Sequence, residues 1–215
     1  MKGLQTLIAR GNLVKITRSV RLGQSAVHLQ VRNLSNWDEA TAMLMGLEEM
    51  KIATEMRSRG KAKETVPLLK RVLEITTAMG GASQDNLYHL VARKRLADAF
   101  FSMGDFEKAS KEYKETADAL EQIKANVEAI PVLLAEVKSH LNKGSSAAAA
   151  AAARRAVALG EGQEGSSADT DLIAHGHRHL GAALLLAGGP AAPEEAQERF
   201  QVAARLATGP AGQAG

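Results

Sequence analysis

Four glycines set the frame of this chain. Gly60, Gly104, Gly144 and Gly188 follow one another at intervals of 44, 40 and 44 residues. A period of that size marks stacked supersecondary units rather than one layered core. The residues around the glycines keep pace with them. Eight positions before three of the four stand Ile52, Leu96 and Leu180, each followed by a small residue: Ala53, Ala97 and Gly181. Three positions further come Met56, Phe100 and Leu184. Beyond each glycine a small residue precedes a generally larger one by four, as in Thr65/Leu69, Ala109/Tyr113, Ala149/Ala153 and Ala196/Phe200. Seven after that small residue come Val72, Thr116, Ala156 and Ala203. Steps of three, four and seven put these residues on one helix face. A glycine between two such helices supplies the tight turn, because it reaches positive φ readily. The pattern predicts eight main helices in four antiparallel pairs, with no sheet.

Composition points the same way. The 215 residues are 45% hydrophobic but only 3% aromatic, and Ala, Leu and Gly suit closely packed helices better than strands. The absence of cysteine excludes disulfides, thiolate zinc sites, iron–sulfur clusters and cysteine nucleophiles. The best apolar run, Gly181 to Gly189, is nine residues long, half of the roughly 18 needed to span a bilayer.

The spacings resemble the tetratricopeptide repeat. The second unit is the strongest match, from Leu96-Ala97-Asp98-Ala99-Phe100 through Gly104-Asp105-Phe106-Glu107-Lys108-Ala109 to Tyr113. The long period and the stretch Val66 to Ile75 look like the kinesin-light-chain variety. The resemblance covers residues 36–207, is poor in the first helix of the third unit, and meets three extra residues around Gly189 to Pro193 in the fourth. It implies an all-α solenoid of about four helix–turn–helix units with one concave face, a binding architecture that names no chemistry. Locally, Lys61 to Ile75 is expected to form a second helix and Gly80 to Ser83 to end the unit. Pro131 suits the first turn of a helix, Gly160 to Asp171 reads as a long loop, and Thr208 to Gly215 as a flexible tail.

Charge divides the chain. Lys and Arg number 27 against 24 Asp and Glu, yet the first acidic residue is Asp38. Lys2, Arg10, Lys15, Arg18, Arg21 and Arg32 precede it, so the rest carries 21 basic and 24 acidic residues, a net of −3. Residues 1–34 have the make-up of a mitochondrial targeting presequence: Arg-containing, hydroxyl-bearing and free of acid, with Leu4, Leu7, Ile8 and Val14 available for an apolar strip. Arg32-Asn33-Leu34-Ser35 resembles an arginine-directed cleavage site. The expected organisation is a presequence over 1–34, a helical domain over 35–207 and a tail over 208–215, in mitochondria ahead of plastids, soluble or peripheral to a membrane through a complex.

Few residues offer chemistry. His175 and His179 share a helix face while His177 points away, and two imidazoles without further ligands make a poor metal site. No Walker loop, GxGxxG after a strand, GxSxG or HExxH occurs. Arg93-Lys94-Arg95 is a basic step suited either to solvent or to an acidic segment. Phe100 matches the internal aromatic position, which leaves Phe101 near the groove. Ala147 to Ala153 predicts helix by propensity alone. The expectation is a noncatalytic protein–protein interaction scaffold, an accessory subunit or assembly factor of a large complex, a respiratory one among the candidates. It has no catalytic, metal or cofactor residues, and its partner contacts are at Met50, Arg57, Lys94, Asp98 and Phe101. Its partners are other protein subunits, with no direct nucleic acid and no transmembrane segment. The alternative, an organelle ribosome- or RNA-associated helical protein, fits less well with a net anionic domain.

Overall fold

A computed structural model describes residues 37–80, 86–162 and 167–208, and from Glu39 onward these belong to one compact unit. The presequence expected over 1–34 and all of the expected tail but Thr208 lie outside the described residues. Nine helices and no strand occur among the described residues: α1 (Trp37–Leu44), α2 (Glu48–Ser58), α3 (Ala62–Gly80), α4 (Leu87–Ser102), α5 (Phe106–Gln122), α6 (Asn126–Asn142), α7 (Ser146–Glu161), α8 (Ser167–Ala187) and α9 (Ala192–Thr208). From α2 to α9 each helix packs on the next, and α6 also meets α8. The eight expected helices are α2 to α9; α1 is an additional one.

The glycine period marks turns. Gly60, Gly104, Gly144 and Gly188 separate α2 from α3, α4 from α5, α6 from α7 and α8 from α9, with φ of 75°, 77°, 78° and 72°. The first three close their helices identically. At Gly104, its N–H donates to Phe101 O at 3.0 Å and the Asp105 N–H to Phe100 O at 2.9 Å. Gly60 and Gly144 repeat that pair of bonds, which satisfies carbonyls the helix end would leave open. The α5–α6 turn does the same with Lys124, the one positive-φ non-glycine among the described residues, at 60°. After Gly188 the chain departs, and a second positive-φ residue, Gly189 at 111°, absorbs the extra residues.

The flanking residues are the core. Thr65, Leu69, Val72, Ala109, Tyr113, Thr116, Ala149, Ala153, Ala156, Ala196 and Ala203 are all buried, as are Ala53, Leu96, Ala97 and Leu180. Ile52 and Met56 are half-buried, and Phe200 is 37% exposed. The alanine run is helical, and Ala149, Ala150, Ala152 and Ala153 pack with Val137, Leu141, Leu180, Ala183, Leu184 and Ala196.

Three local expectations are corrected. The second helix continues past Ile75 to Gly80. Pro131 lies not in the first turn but at the sixth position of α6, and Pro67 holds the sixth position of α3. The carbonyls these prolines leave unpaired belong to Val127 and Lys63, both exposed residues that water reaches. The loop from Gly160 to Asp171 is largely helix: α7 runs to Glu161 and α8 begins at Ser167. Gly160 serves contact rather than a turn. A Cβ there would come within 2.5 Å of the Ile173 side chain, and one on Gly176 within 3.0 Å of Val157.

The two kinds of glycine respond differently to alanine. A Cβ on Gly104 or Gly144 meets nothing within 4 Å, so Gly104→Ala and Gly144→Ala lose only the left-handed backbone preference, roughly 1–2 kcal/mol each. Lys124→Gly relieves the same strain and raises the midpoint of thermal unfolding. Gly160→Ala instead forces α7 and α8 apart and costs about 1–3 kcal/mol. Denaturant melts of the four variants check these signs.

Candidate functional site

The most organised polar cluster lies where α2, α4 and α5 meet. Lys94 and Asp98 are four residues apart on α4 and therefore share a face; Lys94 Nζ donates to both Asp98 oxygens at 3.1 and 3.0 Å. Arg57, near the end of α2, brings Nη1 to 3.5 Å from Asp98 Oδ2, and Arg95 Nη1 stands at 3.9 Å from the same oxygen. From α5, the Tyr113 hydroxyl donates to Asp98 Oδ1 at 2.7 Å. Three cations thus converge on one carboxylate, leaving a local excess of two positive charges. The Asp98 side chain is 16% exposed while those of Arg57, Lys94 and Arg95 are 37%, 23% and 30% exposed, so solvent still reaches the cations. Burial and the neighbouring Asp98 carboxylate both push the Tyr113 hydroxyl up from its ordinary pKa, which keeps it a donor.

Three of the five sequence candidates, Arg57, Lys94 and Asp98, meet in this cluster. Met50 lies beneath it, 2% exposed, in a small crevice shared with Ala53, Thr54, Arg57, Thr65, Leu69 and Arg95; packing occupies it in this structure. Phe101 is half-buried and sets its ring edge-on to Phe106, centroids 5.3 Å apart at 66°, at the α4–α5 turn. Arg93 leaves the basic step, reaching Glu112 at 3.4 Å and Glu115 at 2.7 Å on α5. Arg95, from the basic step, joins the cluster, and so does Tyr113, expected only as a core position of the repeat. Tyr113 carried a usable signal, since a tyrosine at a buried position needs a partner for its hydroxyl.

A second network ties α5 to α7. Arg155 Nη2 donates to Asp118 and Glu121 at 2.6 Å each, and Lys114 reaches Asp118 at 2.8 Å. Beside it Glu136 is buried, and its Oε2 has no hydrogen-bond partner. Burial, with Asp118 and Glu121 adding to it against Arg155 and Lys114, holds the carboxyl up at about 7. His140 Nε2 stands 3.4 Å from Glu136 Oε1, and burial lowers that imidazole's pKa.

The three histidines of α8 take different environments: His175 is exposed, His179 half-buried and His177 buried at 1% exposure. Among the described residues no group of three or more His, Cys, Asp or Glu is placed to hold a metal ion, and no helix is long and apolar enough to cross a membrane. No protein-family model matches the chain, and no curated protein matches it.

Glu136 gives a pH signature with a definite sign. Its folded pKa of about 7 exceeds the 4.5 ordinary for a glutamate, so between those values the folded state holds a proton that the unfolded state has lost. Stability from this group is complete below the lower value and falls as pH rises through the higher one. Glu136→Gln should therefore match the parent chain near pH 4.5 and exceed it at pH 8 by on the order of 2–3 kcal/mol. Histidines with lowered pKa act oppositely, losing stability as pH falls below their unfolded value. Thermal midpoints of parent and variant across pH 4.5–8 separate the two contributions.

Proposed function

We propose that this chain is a noncatalytic scaffold that holds other proteins, built as a tetratricopeptide-like solenoid of four helix pairs and working in mitochondria as an accessory subunit or assembly factor of a larger complex. The cluster on Asp98 carries the reading. It presents Arg57, Lys94 and Arg95 from two successive first helices, α2 and α4, with more positive charge than its single internal carboxylate neutralises. Such a surface selects an acidic segment or a free carboxylate, with affinity drawn from a few anchors and selectivity from charge. The sequential packing of α2 to α9 supports the solenoid. The acid-free leader supports the organelle.

Asp98 competes with such a partner for the same cations. Binding of an Asp/Glu-rich peptide should accordingly tighten in Asp98→Asn, where the internal carboxylate is gone. It should weaken at least tenfold in the double variant Arg57→Ala with Lys94→Ala, and fall with added salt. Fluorescence anisotropy with a labelled peptide measures all three. Native gels of mitochondria containing the tagged chain supply the cellular test. Co-migration with a large protein complex supports the scaffold reading; sedimentation with ribosomes that is lost on RNase treatment overturns it.

A further inference from the structure

The outer face of α9 breaks the pattern the other second helices keep. Counted from the glycines, with the three extra residues after Gly188 left out of the count, Gln197, Phe200 and Ala204 occupy the places of Val66, Leu69 and Leu73 in α3, of Ser110, Tyr113 and Ala117 in α5, and of Ala150, Ala153 and Val157 in α7. Those nine residues are buried or half-buried, whereas all three in α9 are exposed. Each of α3, α5 and α7 is followed by a helix packed against it; among the described residues α9 is not. One side of the Phe200 ring rests on Gly181, where a Cβ would come within 2.9 Å, and the ring is 37% exposed.

The end of α8 adds to this surface. Two residues before the turn glycines stand Ser58, Ser102 and Asn142, but before Gly188 stands Leu186, 68% exposed beside Leu185 at 51%. An open depression of about 420 Å³ runs along Leu185, Pro193, Gln197, Phe200 and Ala204. A solenoid face that met only water would be polar. This one carries an uncharged stripe with a phenyl ring at its centre.

We propose that this face pairs with the same face of a second copy of the chain, α9 against α9, antiparallel about a two-fold axis near Phe200. The charges flanking the stripe favour that occupant. Glu194 lies in the first turn of α9 and Arg205 in the last. Eleven residues is about three turns, so both sit on the same flank, roughly 16 Å apart along the axis. Their midpoint falls between Arg199 and Phe200. In an antiparallel pair about that midpoint, Glu194 of each copy meets Arg205 of the other, and the two contacts are identical as an isologous interface requires. A parallel two-fold pairing would put the two flanks on opposite sides of the interface and make neither contact. The patch is about one helix long and one helix wide, roughly 25 Å by 10 Å or on the order of 250 Å², which is small beside a standard interface of about 800 Å² per partner; the association is therefore reversible and set by concentration.

Sedimentation equilibrium of the full chain tests this. The apparent mass should rise from 22.8 kDa toward twice that value with concentration. Glu194→Arg or Arg205→Glu alone should abolish the rise, and the two substitutions together should restore it. That exchange leaves Phe200 and the helix packing untouched, so rescue reads the contact and not the fold. A chain that stays monomeric throughout overturns the proposal, as does association unchanged in Glu194→Arg, or a folded double variant that fails to recover. So does a monomer in which the thiol of Ala204→Cys resists labelling, because another segment or a different protein then covers the face.

Discussion

Every helix from α2 to α7 depends on how its neighbour's turn is closed. Glycine with φ near 75°, or Lys124 in its place, reverses the chain while two backbone hydrogen bonds finish the preceding helix. The turn is short and its geometry fixed, so residues at set distances before and after it arrive at the same crossing. That is why small residues are needed there: Ala53, Ala97 and Ala109 let backbones approach, and helices of 11 to 21 residues gain their stability from such packing more than from their own propensity.

The two halves of the domain meet this requirement differently. Around α4 and α5 the crossing is filled by Leu96, Phe100, Tyr113 and Leu120, and a polar atom comes with the bulk: the Tyr113 hydroxyl needs Asp98, and Asp98 gathers Arg57, Lys94 and Arg95. From α6 to α9 the crossing is filled by alanines, and Gly160, Gly176 and Gly181 take the close contacts of Ile173, Val157 and Phe200. Charge there is balanced within the Arg155 network, where Arg155 and Lys114 meet Asp118 and Glu121, instead of leaving an excess of cations. The candidate site thus lies in the half whose packing carries a tyrosine to the surface end of the interface.

Much of this was legible in the sequence because it is periodic. The glycine interval located four turns, and the spacing of small and large residues located the buried faces down to individual side chains such as Val72 and Ala203. What escaped was aperiodic. Gly160 looks like a loop residue in sequence and proves to be a contact, since only the neighbouring helix reveals whether a glycine is there for its φ or for its missing Cβ. Lys124 closes a turn without any compositional mark. Glu136, an acid on a face otherwise built of Val132, Leu133 and Val137, is distinguished only by its burial. At the candidate site, Arg57, Lys94 and Asp98 were named from their helix positions, but nothing local distinguishes Arg95, which turns toward Asp98, from Arg93, which turns toward Glu112 and Glu115.

If the face shared by α2 and α4 holds an acidic protein segment, its occupant can be caught in place. Thr54 is exposed one turn before Arg57 on α2, close to the cations without being one of them. A photo-activated cross-linker installed there, in the chain expressed in mitochondria, reports what lies against the cluster. The account predicts one discrete protein adduct joined through a segment rich in Asp and Glu, lost when Arg57 and Lys94 are both replaced by alanine. Cross-links to RNA, or a protein adduct indifferent to those two cations, would contradict it.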